Sequence, residues 1–335
     1  MSIVMTGGGT GGHLAIIKAV KEYLKEEELV YIGSTKGQDK QWFEHDEDFS
    51  AHYFLETRGV VNQGIFGKII SLWMLLKATF KAMHYLRKHQ AKVVFSVGGF
   101  SAAATAFAAK ILRIPLVIHE QNAALGSLNR SLKPYAKAFI SSYLEESPIK
   151  AYPIKQVFFD NAHLRKDVKT IIFLGGSQGA KAINALALQI APELKKRGIK
   201  IIHQAGEKHI DEVQKAYAEL GIEAEVFGFT DKLTFYMNQA DLAIARSGAS
   251  TLWELCASAV PALFVPYPYA AGDHQYYNAK FLVDKNLAWI MREEEIVIDK
   301  VITLLDEDLE AKSGWLMEMT QKDGSEKIAA LLKSV

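Results

Sequence analysis

SIVMTGGGTGGH, residues 2–13, joins a short apolar run to a glycine-rich turn and then to a helical pattern that begins near His13. TIIFLGGSQGA, residues 170–180, repeats this order in the second half of the chain. A strand, a glycine turn and a helix in succession are typical of the first βα unit of a Rossmann-like domain. The two openings therefore predict two Rossmann-like domains in tandem.

Short apolar runs alternate with amphipathic helical stretches along the rest of the chain. Near-continuous apolar strands between helices indicate parallel sheets covered on both faces, and hence an α/β protein. A linker is expected at residues 147–169, where Pro148 and Pro153 stand in a stretch without a clear period. The predicted strands are residues 3–5, 29–33, 93–97, 116–119, 170–174, 200–203, 225–227, 242–245 and 262–265.

The composition is that of a soluble globular protein, with 335 residues of which 49% are hydrophobic and 23% charged. The single cysteine, Cys256, excludes an internal disulfide framework and suits a reducing compartment. No signal peptide is expected, because Met1–Met5 runs directly into the glycine turn. The uncharged stretch Val93–Ala109 contains a pair of glycines, and this favours a strand, a loop and a helix start over a transmembrane helix.

Charge is distributed unevenly between the two halves. Residues 1–155 carry 19 basic and 13 acidic side chains, whereas residues 156–335 carry 20 and 25. No acidic residue lies between Glu56 and Glu120, a stretch that holds nine lysines and arginines. A long basic segment without acids predicts an anionic partner, such as a phosphate group, nucleic acid or anionic lipid.

The glycine turns are candidate anion sites, because backbone N–H groups at a helix N-terminus can approach a phosphate closely. A third turn, residues 98–101, follows a strand of the first half. Tight turns alone would also explain these glycines.

Gly7-x-Gly9-x-x-Gly12 matches the dinucleotide fingerprint, but a dehydrogenase also needs an acid at the end of its second strand. That strand ends at Ser34 with no acid before Asp39, which weakens the nicotinamide interpretation.

The second half has polar groups after its strands. Glu254 lies one turn into a predicted helix, where a carboxylate could accept both hydroxyls of a ribose, or could merely complement the helix dipole. Residues 273–278, DHQYYN, could bind sugar hydroxyls or cap a helix.

Two acidic stretches match the DxD metal motif, Asp46-Glu47-Asp48 and Asp306-Glu307-Asp308. Both lie in strongly charged segments and are interpreted as surface. No metal and no cofactor are therefore expected.

Five motifs occur in order and together resemble the MurG family, the lipid I N-acetylglucosaminyltransferases of peptidoglycan synthesis. They are GGGTGGH at 7–13, HEQN at 119–122, GGSQGA at 175–180, RSGA at 246–249 and HQxxNA at 274–279. The resemblance implies a GT-B fold, in which two Rossmann-like domains face a central cleft. It implies an acceptor- and membrane-binding domain at residues 1–157 and a UDP-sugar donor domain at 158–315. A final helix, expected at Ser313–Leu332, would return residues 316–335 to the first domain.

The resemblance also assigns residues to the donor. The diphosphate and the sugar of the donor would be approached by Thr10, Gly11 and Gly12. The sugar would also be contacted by Asn122 and Gln275, and the diphosphate would be bound by Ser177. The nucleotide would lie along Ala249, Ser250, Thr251, Leu252, Trp253 and Glu254, with Glu254 on the ribose and the backbone of Thr230 on uracil. Where the family has Asn-Pro-Val-Arg, this chain has Tyr152-Pro153-Ile154-Lys155. Lys155 could replace the arginine on a phosphate as a point charge but not as a bidentate fork.

The implied reaction is a single displacement with inversion, which needs a base near the acceptor hydroxyl. His13 is the first candidate, because a histidine at a helix N-terminus is disfavoured as the cation and can accept a proton. The alternative is that His13 binds phosphate or packs the loop. Glu120 is a second candidate for the base.

Membrane contact is predicted from residues 66–88, which form a helical pattern. Ile69–Leu76 is apolar nearly all round, and lysines and an arginine flank it. Such a surface would suit docking on an anionic leaflet, although a core helix with solvated ends would give a similar pattern. The expected location is the cytoplasmic face of the bacterial inner membrane, as a peripheral protein.

The expected partners are UDP-N-acetylglucosamine, lipid I and an anionic membrane surface, and no nucleic acid is expected. Other cell-wall synthesis proteins are further candidate partners. Three alternatives stay open. One is another GT-B activity on the same donor, such as its 2-epimerase or another glycolipid synthase. The second is a non-catalytic nucleotide-sugar sensor, and the third is a dehydrogenase.

Overall fold

Two six-stranded sheets, one in each half of the chain, organise the protein. The computed structural model describes residues 1–59, 64–176 and 179–335. The chain divides into a first unit, Met1–Lys155 with Asp323–Val335, and a second unit, Gln156–Lys322. Every pair of neighbouring strands is parallel. The predicted α/β class with two Rossmann-like domains is confirmed.

The first sheet has the strand order β3-β2-β1-β4-β5-β6. Its strands are β1 (Ile3–Thr6), β2 (Leu29–Ser34), β3 (Ala51–Leu55), β4 (Val93–Ser96), β5 (Leu116–His119) and β6 (Ala138–Ile140). Its helices are α1 (Gly11–Lys21), α2 (Asp39–Phe43), α3 (Ile65–Lys88), α4 (Ala103–Leu112) and α5 (Ser127–Leu132), followed by a 3₁₀ turn at Lys133–Tyr135. The central strands are fully buried because helices cover both of their faces.

The second sheet has the order β12-β11-β10-β7-β8-β9. Its strands are β7 (Thr170–Leu174), β8 (Lys200–Gln204), β9 (Glu225–Phe227), β10 (Leu242–Ala245), β11 (Ala262–Phe264) and β12 (Trp289–Ile290). Its helices are α6 (Val157–Asp160), α7 (Lys181–Lys196), α8 (Ile210–Glu219), α9 (Leu233–Gln239), α10 (Ala249–Ala257), α11 (His274–Val283), α12 (Ile298–Thr303) and α13 (Glu310–Met319). Short 3₁₀ turns occur at Ala271–Asp273, Glu293–Glu295 and Leu304–Asp306.

The expected single helix at Ser313–Leu332 is wrong in its extent. The chain leaves α13 at Thr320 and begins α14 (Gly324–Ser334) four residues later, so two helices replace one. Only α14 belongs to the first unit, where it packs on α1 and buries Ile328 and Leu332. Gly324 lies so close to Tyr152 that a Cβ would come 2.6 Å from the Tyr152 carbonyl oxygen.

Helix α3 has two apolar stripes. Ala78, Ala82 and Leu86 recur at helical spacing and are buried in the core of the first unit. A second stripe on the same helix is exposed and contains Trp73 and Phe80. Within the described residues, no helix is long and apolar enough to cross a bilayer.

Candidate functional site

The first glycine loop leaves β1 at Thr6 and enters α1 at Gly11. Gly9 has φ +84°, and a Cβ there would come 2.5 Å from a ring carbon of Phe100 in the β4–α4 loop. Side chains at this position are excluded both by conformation and by contact, so two loops can meet closely. Thr10 is exposed at the N-cap of α1, and Gly11, Gly12 and His13 are half-buried behind it.

Three loops of the first unit converge on the His13 imidazole. Thr10 Oγ1 lies 3.0 Å from His13 Nδ1, and Gln121 Nε2 in the β5–α5 loop lies 3.2 Å from Nδ1 and 3.1 Å from Nε2. A Cβ on Gly99 would come 3.6 Å from His13 Nε2, which places the β4–α4 loop beside the same ring. Gln121 was not among the predicted site residues, although it lies between two that were.

Glu120 is almost fully enclosed. Its Oε1 accepts the Asn122 backbone N–H at 3.0 Å, and its Oε2 accepts the Gly126 N–H and the Asn129 side-chain amide, both at 3.0 Å. The side chain is only 2% exposed. Three N–H donors thus occupy the carboxylate, and this geometry favours Glu120 as the residue that shapes the loop carrying Gln121 and Asn122.

His119, which precedes Glu120, is fully buried beside the ring of Tyr152. Within the described part of the chain, neither of its ring nitrogens has a hydrogen-bond partner. Burial, with a smaller contribution from His13, lowers the pKa of His119 to about 3. This imidazole is therefore neutral at physiological pH and has no charge to offer a phosphate.

Lys155 lies away from the glycine loop. Its Nζ is 3.4 Å from Glu22 Oε1, at the C-terminal end of α1. An 11-residue helix is about 16 Å long, which separates Lys155 from the loop at the other end. Burial and the nearby Lys155 ammonium lower the pKa of Lys18 on the same helix. Within the first unit, the structure does not bring Lys155 to Thr10 and His13.

In the second unit the glycine loop follows β7, with Gly176 and Gly179 at positive φ. Ser177 lies outside the described residues, and its role on the diphosphate stays a prediction. Behind the loop, Asn184 donates to the Ala205 carbonyl at 3.1 Å, and its Oδ1 lies 3.0 Å from His203 Nε2. This buried network connects α7 to β8 and was not predicted from the sequence.

The β10–α10 segment separates its predicted residues into two groups. Ser250, Thr251 and Glu254 are half-buried and follow one another at helical spacing, so they share one face of α10. Ala249, Leu252 and Trp253 are buried among the hydrophobic residues of the unit. Leu252 and Trp253 are therefore placed to act through their backbone and through packing.

The β11–α11 loop is held against β10. Arg246 Nη1 donates to the carbonyls of Val265 and Pro266 at 3.0 Å, and Arg246 Nη2 forms an ion pair with Glu293. Gln275 Oε1 accepts the Tyr267 N–H at 2.9 Å. The oxygen of the Gln275 amide, which is predicted to bind the sugar, therefore positions this loop.

Thr230, which follows β9, accepts the Lys232 N–H on its own hydroxyl at 3.0 Å. Its side chain is thus engaged in a local turn. This hydrogen bond involves the side chain of Thr230 and not the backbone, through which Thr230 is predicted to contact uracil.

The predicted residues of the second unit all follow the carboxyl ends of parallel strands. They come after β7, β9, β10 and β11, whose ends share one edge of the sheet. Ligands of open α/β sheets bind at this edge. The arrangement can bind a nucleotide with its phosphate near the N-terminus of α10.

Neither DxD-like stretch has a metal-site geometry. Asp46 and Asp48 both bind Lys21 at 2.5 Å, and Asp306 binds Arg197 at 2.6 Å. Among the described residues, no cluster of three or more His, Cys, Asp or Glu side chains is placed to hold a metal ion.

Comparison with known families gives two matches, one in each half of the chain. Residues 3–141 match the glycosyltransferase family 28 N-terminal domain, and residues 170–335 match the family 28 C-terminal domain. Together the matches cover most of the chain.

Curated relatives match over the full length. A protein of Sulfurovum sp. (strain NBC37-1) is 75% identical over 334 residues, covering 100% of this chain and 99% of the relative. A protein of Sulfurimonas denitrificans is 54% identical, with 98% and 97% covered. Both are named UDP-N-acetylglucosamine–N-acetylmuramyl-(pentapeptide) pyrophosphoryl-undecaprenol N-acetylglucosamine transferase.

Among solved structures, Acinetobacter baumannii MurG aligns with a TM-score of 0.80 and 26% identity, covering 100% of this chain and 99% of that one. The glycosyltransferase SsfS6 of Streptomyces sp. SF2575 aligns with a TM-score of 0.69 at 12% identity, which is a likeness of fold alone. The predicted GT-B class is confirmed by these alignments.

Proposed function

This chain belongs to glycosyltransferase family 28, and we propose that it transfers N-acetylglucosamine from UDP-N-acetylglucosamine to N-acetylmuramyl-pentapeptide pyrophosphoryl-undecaprenol (lipid I), which yields lipid II. The observation that carries the proposal is the 75% identity, over the full chain, to a relative named for this transfer. The organisation of both units supports it, since each has a glycine loop at the carboxyl edge of a parallel sheet.

Donor binding is assigned to the second unit. Glu254 would accept the ribose hydroxyls, while Ser250 and Thr251 donate to phosphate at the N-terminus of α10. Ser177 and the backbone of Thr230 complete the nucleotide site in this proposal. Gln275 retains its amide N–H₂ for the sugar while its oxygen holds the loop. The helix dipole and backbone N–H groups would stabilise the leaving diphosphate.

Proton removal is assigned to His13 of the first unit. The acceptor hydroxyl attacks the anomeric carbon, the bond to the UDP oxygen breaks, and inversion gives a β-linked sugar. His13 takes the hydroxyl proton, and its orientation is supported by Thr10 and Gln121. Glu120 acts through the loop it holds, which also carries Asn122.

Labelled UDP-N-acetylglucosamine, with and without a lipid I analogue, tests the transfer directly. Formation of labelled lipid together with stoichiometric UDP, only when the acceptor is present, is the expected result. UDP release without labelled lipid would instead indicate an epimerase or hydrolase. Binding of UDP with no consumption of donor would indicate a sensor.

The exposed stripe of α3 is proposed to dock on an anionic membrane at the cytoplasmic face of the inner membrane. Trp73 is 56% exposed and Phe80 is 63% exposed, and Lys77 Nζ lies 3.5 Å from the centroid of the Trp73 ring. Lys77, Lys81, Arg87 and Lys88 are also exposed on α3, and their charge complements anionic headgroups. The other exposed apolar residues of the stripe are Ile69, Ile70, Leu72 and Leu76.

Replacing both aromatic residues of the stripe, Trp73→Ser with Phe80→Ser, is expected to lower partitioning onto phosphatidylglycerol vesicles about 100-fold. The estimate takes about 1.5 kcal/mol for each of the two side chains, the low end for burial of a large apolar group, because both would be only partly buried in the interface. The matched control is Trp315→Ser in α13, because Trp315 is 61% exposed on the second unit. Vesicle co-sedimentation at low and high salt measures the effect. Equal partitioning of the double variant and wild type would contradict this docking surface.

A further inference from the structure

Asp39 begins α2, in the first unit, and its side chain is completely buried. The sequence singles it out only as the first acid after β2. A dehydrogenase would present such an acid to a ribose. Here the carboxylate is inaccessible to any ligand, and its two oxygens are used inside the unit.

Four donors surround the Asp39 carboxylate, and all four are neutral. Oδ2 accepts the Gly9 N–H at 2.6 Å. Oδ1 accepts the Ser34 N–H at 3.0 Å, the Tyr31 hydroxyl at 3.0 Å and a short hydrogen bond from the Ser101 hydroxyl. Burial and the neighbouring carboxylate raise the pKa of Tyr31 well above its usual value, so the phenol remains a donor. Buried polar groups of this kind specify one arrangement of the chain when every member is satisfied.

The backbone leaves room for this carboxylate. A Cβ on Gly8 would come 2.6 Å from Asp39 Oδ1, and a Cβ on Gly33 would come 2.7 Å from the same oxygen. A Cβ on Gly37, in the β2–α2 loop, would meet the Cα of Gly9 at 2.6 Å. Three loops are therefore packed together around Asp39: β1–α1 through Gly9, β2–α2 through Gly37, and β4–α4 through Ser101.

We propose that Asp39 is a positioning residue for the transfer reaction, which holds Gly9 inward and thereby fixes Thr10 and His13 at the start of α1. This inference rests on the proposed function, because it assigns the reaction's base to His13. Gly9 immediately precedes Thr10, whose hydroxyl lies 3.0 Å from His13 Nδ1. Asp39 thus acts on the imidazole through the loop backbone and touches no substrate.

Asp39→Asn isolates the bond to Gly9. An amide has one oxygen, and the most favourable orientation keeps that oxygen at the place of Oδ1, where three donors converge. The amide N–H₂ then faces the Gly9 N–H at the place of Oδ2, where two donors oppose each other. The glycine loop must move away from the introduced amide while the other three hydrogen bonds persist.

The matched control is Thr57→Val. Thr57 is buried in the same unit and donates to Ser34 Oγ at 2.8 Å, a contact that does not involve the glycine loop. Asp39→Asn is expected to lower kcat about 100-fold with the donor KM changed less than about threefold, since small misplacements of reacting groups have effects of this size. Thr57→Val is expected to lower the Tm by an amount comparable to that in Asp39→Asn, but to keep the kcat of the wild type. Hydrogen exchange of residues 7–13 should accelerate in Asp39→Asn only.

Three results would overturn the inference: a wild-type kcat in Asp39→Asn, an equal loss of kcat in Thr57→Val, or a freely exchanging Gly9 amide in the wild-type protein. The exchange of the Gly9 amide is measured on the wild-type protein, so it tests whether this amide is held by a hydrogen bond even if Asp39→Asn does not fold. If the wild-type protein fails to transfer N-acetylglucosamine, the proposed function is wrong. The exchange of residues 7–13 would still report whether Asp39 holds the loop.

Discussion

His13→Ala is expected to lower kcat for N-acetylglucosamine transfer about 1,000-fold, while the Kd for UDP changes less than about twofold. The imidazole is half-buried where three loops of the first unit meet, and Thr10 and Gln121 contact its nitrogens. A base that acts only on the acceptor hydroxyl contributes to the transition state and not to nucleotide binding. Steady-state kinetics with a lipid I analogue and UDP titration calorimetry measure the two quantities.

His45→Ala is the control for this variant, because His45 is an exposed histidine of the same unit. It is expected to leave both kcat and the Kd for UDP unchanged. Parallel losses of turnover and UDP affinity in His13→Ala would show that His13 binds the donor phosphate. Unchanged turnover would remove it from the mechanism.

Glu254→Ala is expected to weaken UDP binding about 10- to 100-fold and to leave kcat at saturating donor within about threefold of wild type. The carboxylate is half-buried on the face of α10 shared with Ser250 and Thr251. A charged acceptor for two ribose hydroxyls contributes about 1.5–3 kcal/mol. Glu254→Gln keeps one acceptor oxygen and should fall between wild type and Glu254→Ala.

Glu212→Ala, an exposed carboxylate on α8 of the same unit, is the control for nonspecific charge effects. Calorimetry with UDP and with 2′-deoxy-UDP makes the test specific. Wild type should prefer UDP, and Glu254→Ala should bind the two ligands nearly equally. A preference that survives in Glu254→Ala would contradict the ribose contact.

The strands with continuous apolar runs could be predicted because burial on both faces leaves a clear pattern, as in Ile171–Phe173. The strands β3, β6 and β12 were missed. All three are edge strands, and most of their residues are only half-buried, so they lack the two-sided burial that marks the central strands. The break between α13 and α14 was missed because Thr320–Asp323 contains neither proline nor glycine.

The position of a candidate site residue was predictable where it depends on local spacing and not where it depends on tertiary contacts. His13 follows its glycine turn directly, so the turn itself places it. The enclosure of Glu120 depends on Gly126 and Asn129, and that of Asp39 depends on Ser101, 62 residues away. Short-range patterns cannot reveal which donors a carboxylate meets after folding.

The return of α14 to the first unit has a consequence during synthesis on the ribosome. The apolar surface of α1 that α14 covers has no partner until residues 323–335 emerge. Translation at about 5–20 residues per second gives a delay of roughly 10–30 s while the second unit, Gln156–Lys322, is made. During this delay the surface of α1 stays uncovered, and the second unit can complete its fold before the first.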